Sequence, residues 1–166
     1  EGAIGDVQYG YTTGDETEVP AARWSSNSTF SGLAPATKYT IYVRYSGNGF
    51  YEPVVSDGVE VYTAHSVPRE NEGYTINYAN ETVTAASDYE VRPAESDNWM
   101  ASGTALSITP GGTFQVRHAA ATDGAPASEP LTVNVEARPA APTLAIDNEA
   151  EGVTIPSGYY YNTTSE

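Results

Sequence analysis

The sequence predicts an all-β chain of tandem antiparallel β-sandwiches with essentially no helix. Three observations carry this. Apolar and polar residues alternate in runs of about 4 to 8, as in Lys38-Tyr-Thr-Ile-Tyr-Val-Arg44 and Thr113-Phe-Gln-Val-Arg-His118, and clusters of Gly, Pro, Asn, Asp and Ser separate the runs. No window of a dozen residues keeps a 3.6-residue apolar spacing, and 11 prolines interrupt the nearest approaches to one. The pattern also recurs at a period of about 70 to 75 residues, the mark of serially repeated units.

Trp24 is matched by Trp99 and Pro35 by Pro110, each pair 75 residues apart. Behind each proline comes an alternating strand, with Tyr39 aligned to Phe114. A second alternating strand then leads to a proline-bearing junction: Val59-Glu-Val61 to Pro68 in one copy, and Val133-Asn-Val135 to Pro142 in the other, an alignment at a spacing of 74. The next copy opens with Tyr74-Thr-Ile-Asn-Tyr78, a turn at Ala79-Asn80-Glu81, and Thr82-Val-Thr84. The third copy repeats this as Thr143-Leu-Ala-Ile146, a longer turn, and Gly152-Val-Thr-Ile155. Tyr89-Glu-Val91 is echoed by Tyr159-Tyr-Tyr161 and by Gln8-Tyr-Gly-Tyr11.

These matches divide the chain into a partial repeat over residues 1–66, holding the later strands of a sandwich, a complete repeat over 67–139, and the opening strands of a third over 140–166. Part of a sandwich cannot bury its apolar face alone. Leu144, Ile146, Val153 and the strand at Tyr159 to Tyr161 are therefore expected to pack against the preceding repeat or another molecule. Alternation also assigns faces: Tyr39, Ile41, Val43, Phe114 and Val116 inward, and Lys38, Thr40, Tyr42, Arg44, Gln115 and Arg117 outward.

Composition narrows the function classes. Seven basic residues stand against 22 acidic ones, for a formal net charge of −15, which argues against nucleic acid or an anionic membrane surface as partner. Apolar runs fall far short of the roughly 20 residues that span a bilayer, so no membrane insertion is expected. There is no cysteine, which removes disulfides and thiolate chemistry together. An acidic, Tyr-rich β chain without cysteine fits the outer surface of a bacterium. Asn27, Asn80 and Asn162 each open an Asn-x-Thr triplet, an acceptor for glycans in a eukaryotic secretory pathway.

The stretch Phe30-Ser-Gly-Leu-Ala-Pro-Ala-Thr-Lys-Tyr-Thr-Ile-Tyr-Val-Arg44 resembles the strand E to strand F signature of fibronectin type III domains, and Ile108-Thr-Pro-Gly-Gly-Thr-Phe114 keeps it more loosely. The junction from Val135 to Pro142 and the phrase from Tyr74 to Val83 are similar to tandem immunoglobulin-like repeats in large cell-surface proteins of Gram-positive bacteria. The resemblance implies an extracellular or wall-attached location and a spacing or presenting role, with neighbouring repeats as the first partners. The tryptophans fall later than in a typical fibronectin type III domain. No Arg-Gly-Asp tripeptide exists, so integrin binding is not implied.

The chain offers little for catalysis. His65 lies in a junction and His118 at a strand end, neither near a Gly-x-Ser-x-Gly elbow, and Gly111-Gly112 is followed by a strand rather than a helix N-terminus. The acids cluster in turns, as on a solvated surface. No cofactor is expected beyond Ca²⁺, for which Asp147, Glu149 and Glu151, or Glu70 and Glu72, are the candidate ligands. Lys38, the only lysine, is expected to point outward, away from any intramolecular isopeptide bond. Exposed rings would suit a glycan or a host protein, and the candidates for such a binding site are Trp24, Trp99, Tyr42, Tyr45, Phe50 and Tyr51. A third expectation is a polymer of chains joined by strand addition.

Overall fold

The structure, a computed structural model, describes residues 5–158. Tyr159 to Tyr161 and Asn162 lie outside the described residues. The strands are β1 (Val7–Thr13), β2 (Lys38–Tyr45), β3 (Val54–Val55), β4 (Val59–Tyr62), β5 (Tyr74–Asn77), β6 (Thr82–Ala85), β7 (Tyr89–Pro93), β8 (Met100–Ala101), β9 (Ala105–Ser107), β10 (Thr113–His118), β11 (Leu131–Asn134), β12 (Ala145–Asp147) and β13 (Gly152–Thr154). Every pairing is antiparallel. The one helical element among the described residues is a three-residue 3-10 turn, Ala21–Arg23, which starts directly after Pro20.

Four small sheets result. In the first, β2 is central and pairs with β1, β3 and β4. The second runs β5-β6-β9, the third β11-β10-β7-β8, and β12 and β13 form a hairpin. The second and third sheets share one core: Val83, Ala85 and Leu106 from one side, and Val91, Phe114, Val116, Val133 and Val135 from the other. Phe114 is fully buried, and the Tyr74 ring meets it edge-on at 5.2 Å between centroids. Alternation produces this directly, since every second residue of β6, β7 and β10 points into the core while Arg92, Gln115 and Arg117 point away from it. Gly73 closes the entry to β5 at φ +80°, where a side-chain Cβ would fall 2.1 Å from the Tyr89 ring.

The first sheet repeats the geometry of the third. Tyr11 faces Ile41 as Val91 faces Val116, and Val61 faces Tyr39 as Val133 faces Phe114. This register corrects the sequence alignment of the last strand. Val59 and Val61 correspond to Leu131 and Val133, at a spacing of 72, and not to Val133 and Val135. A slip of two residues leaves every side chain on the same face, so alternation alone could not detect it. The hairpin is likewise closer to its counterpart than expected. Ile76 opposite Val83 recurs as Ile146 opposite Val153, 70 residues on, and the connection has the same length in both. Glu81 and Glu151 even share the left-handed backbone conformation, at φ 52° and 50°.

Burial is where the copies part. Tyr39 is buried, its ring edge-on to Tyr11 and its hydroxyl accepting the Ala34 N–H at 2.9 Å. Ile41, however, is only half-buried, and Val43, expected inward, is exposed. Phe30, edge-on at 5.1 Å, and the Arg23 guanidinium at 5.0 Å cover Tyr11 on this face, but among the described residues no second sheet packs against it. Leu144, Ile146 and Val153, expected to pack against something, are exposed too.

These differences set the stabilities. Phe114→Ala is expected to cost about 3–5 kcal/mol through its cavity, whereas Ile146→Ala in dilute solution should change stability by less than about 0.5 kcal/mol. Urea unfolding followed by circular dichroism measures both, and equal losses would show that the hairpin is packed.

Candidate functional site

The outer face of each larger sheet carries a tryptophan covered by arginine. In the first sheet, Ser25 bridges to Tyr9 through two backbone hydrogen bonds of 2.7 and 2.9 Å, which lays Trp24 across Gly10. A Cβ on Gly10 would lie 2.9 Å from the indole, so the approach depends on that glycine. The Arg44 guanidinium stands 4.2 Å from the indole centroid, held by donation from its Nε to Gln8 Oε1 at 2.9 Å. In the third sheet, β8 brings up Trp99, faced by Arg92 at 4.5 Å and Arg117 at 4.0 Å. Arg92 Nε donates to Gln115 Oε1 at 2.8 Å, and Arg117 pairs with Glu90 at 3.1 Å. Arg–indole contacts of this kind contribute roughly 0.5–2 kcal/mol each, more where desolvated.

The six aromatic candidates therefore do not form one platform. Trp24 and Tyr42 line one open pocket with Arg44, Val19 and Val55. Tyr45 lies on the opposite face, paired with Val7. Phe50, 94% exposed, and Tyr51 sit in the connection between β2 and β3, where Asn48 Oδ1 accepts both of their backbone N–H groups. Trp99 belongs to the next copy, under its two arginines.

The acidic candidates serve turns. Asp147 Oδ1 accepts the N–H groups of Glu149 and Ala150 at 3.0 Å each. Glu72 accepts the Arg69 N–H and the Tyr89 hydroxyl, and these two bonds hold its carboxyl below the ordinary range. Among the described residues, no three His, Asp or Glu side chains converge as a metal site would require. Lys38 is exposed and pairs with Glu60.

A feature the sequence did not disclose is a pair of stacked histidines where the first and second copies meet. His65 and His118 lie 5.2 Å apart between centroids, with ring planes within 13°. Tyr89 contacts His118 from its own strand at 4.2 Å. The His65 N–H donates to the Pro126 carbonyl at 3.2 Å, and Gly124 lies against the Tyr62 ring. His65 Nε2 is buried without a partner. Burial, then the facing His65, push the His118 pKa below its ordinary value; Glu72 and Asp88 pull the other way and do not win. The two histidines lie far apart in sequence and share no motif, so only the docking of the loop before β11 against the end of β4 reveals them.

No protein-family model matches the chain, and no curated protein matches it in sequence. Among the described residues, no helix is long and apolar enough to cross a membrane.

The junction should be acid-sensitive. A depressed His118 pKa means that the folded chain favours the neutral ring. The stabilisation is complete above about pH 6.5 and is lost as pH falls from there through the folded value. An NMR titration of the His118 ring should give a midpoint below 6.5, and His118→Gln should flatten the decline in stability over that range. A midpoint at or above 6.5 would contradict the stacked geometry.

Proposed function

We propose that the chain is a non-catalytic architectural segment of a secreted or wall-attached bacterial surface protein: a series of small fibronectin type III-like or immunoglobulin-like β-sandwiches that space or present other domains. One observation carries the reading. The same local solutions recur in register along the chain, hairpin on hairpin and tryptophan under arginine, and adjacent copies meet through a short junction with its own contacts. Repetition of this kind builds length, since each unit touches only its neighbours.

Two details support the sandwich type. The Tyr39 hydroxyl bonds to the backbone five residues upstream, as the tyrosine corner of such sandwiches does. Two sheets also share one core of alternating side chains in the second copy. Prolines at 139 and 142 would stiffen the following linker. The charge of −15 would keep a crowded surface layer soluble.

A second reading, a glycan- or host-protein-binding module, is favoured by the projecting Phe50 and Tyr51. A glycan array separates the two. The architectural reading expects no retained sugar. A glycan held by the native chain and lost on Tyr51→Ala, with the unfolding transition unmoved, would replace it with the adhesive one.

A further inference from the structure

The connection between β2 and β3 holds the one asparagine of the chain that is followed by glycine, Asn48-Gly49. The Asn48 N–H donates to the Tyr51 carbonyl at 2.9 Å, and Asn48 Oδ1 accepts the N–H groups of Phe50 at 2.8 Å and Tyr51 at 3.0 Å. Gly49 stands inside this loop without ties of its own. Its N–H donates to no other group among the described residues, and a Cβ built on it would meet no atom within 4 Å.

We propose that Asn48 is a site of spontaneous covalent rearrangement, in which the Gly49 amide nitrogen closes a succinimide on the Asn48 side chain and water opens it to aspartate and isoaspartate. The Gly49 nitrogen gives its proton to solvent hydroxide and attacks Asn48 Cγ, so the N–Cγ bond forms and the carbonyl electron pair moves onto Oδ1. The intermediate collapses with cleavage of the Cγ–Nδ2 bond, and Nδ2 takes a proton from water and leaves as ammonia. Water opening the ring at Cγ yields aspartate. Opening at the backbone carbonyl carbon yields isoaspartate, whose main chain runs through the former side chain. One water is taken up, one ammonia is lost, and no other reactant takes part.

Two features of the loop favour the step. Gly49 has no side chain to shield its nitrogen, whereas every other asparagine precedes a residue that has one. The Phe50 and Tyr51 N–H groups point at Oδ1, the atom on which negative charge develops, as the donors of an oxyanion hole do. The Asp-Gly pairs are placed less well: Gly124 donates its N–H to the Ala121 carbonyl at 3.2 Å, and Gly58 is packed against Thr40 and Tyr42. The two products leave different loops. Aspartate keeps an oxygen where Oδ1 stood and so retains both N–H bonds, whereas isoaspartate lengthens the main chain and loses them. The pose of the exposed Phe50 and Tyr51 therefore changes as the protein ages, whether the chain spaces or adheres.

Incubation of the full chain at mildly alkaline pH, with peptide mapping and enzymatic methylation of isoaspartate, tests this. Asn48 should convert before any other asparagine, faster as hydroxide rises, and at a rate within about tenfold of the chain held unfolded in urea. Gly49→Ala enters open space at a backbone conformation outside the left-handed region, so it should leave the unfolding transition in place and slow the reaction by about tenfold or more. In NMR spectra, Asn48→Asp should keep the Phe50 and Tyr51 amide resonances where they are, and the isoaspartyl form should move them. Conversion of another asparagine first, or a Gly49→Ala chain that reacts as fast as the native one, would overturn the proposal. A native chain more than about tenfold slower than the unfolded one would also overturn it, since the two N–H bonds would then hold the side chain away from attack. Unmoved Phe50 and Tyr51 resonances in the isoaspartyl form would overturn the change of pose.

Discussion

A β-sheet of this kind has one apolar face, and that face must be covered by a second layer. The second copy meets the requirement within itself: Phe114 and seven other buried residues, contributed by two sheets, form one core. A unit of about 75 residues buries a modest fraction of its surface, so this one shared core carries most of its stability. In the first sheet, which among the described residues no second sheet covers, equivalent strands pair in the same register but with Val43, Val59 and Val61 exposed. Pairing is thus set locally by turns and alternation, whereas burial is set by the partner layer.

The opposite faces of the sheets are organised by scarce cations. With seven basic side chains in 166 residues, nearly every one is committed: Arg44, Arg92 and Arg117 to tryptophans, Arg23 to Tyr11 and Glu16, Lys38 to Glu60 and Arg138 to Glu81. A planar guanidinium can cover an indole and still donate to a neighbouring glutamine or carboxylate, which an ammonium on a flexible stem does less well. Trp24 and Trp99 thereby finish the outer face of each sheet, half-buried under charge. The surplus of carboxylates is left to the turns and the solvent.

Much of this was legible in the sequence, for identifiable reasons. Strict alternation in Lys38 to Tyr45 and Thr113 to His118 fixes both strand type and face, and the recurrence of Trp, Pro and the aromatic at a spacing of 75 fixes which strands are equivalent. The two-residue slip in the last strand was invisible because it preserves every face. The equal length of the two hairpin turns is masked in the sequence because Ala150 stands where Asn80 signals a turn; in both, the side chain three residues earlier, Asn77 or Asp147, accepts that residue's N–H. Burial could not be foreseen either. Val43 obeys the pattern of a core residue yet is exposed, whereas His118 at the equivalent register position is covered by Tyr89 and by His65 from the junction.

The same limit applies to the dispersed aromatics and the joined histidines. Candidate side chains chosen by type alone, such as Trp24, Tyr45 and Phe50, separate onto different faces and loops, because period-2 alternation sends near neighbours to opposite sides. His65 and His118 meet because consecutive copies place a strand end against the same connecting loop. Contacts of this kind arise between units, at junctions where the end of one copy meets a loop and strand end of the next. A single unit's sequence specifies its own strands well. It specifies such contacts only through the period, since they form between side chains, such as His65 and His118, that belong to different copies.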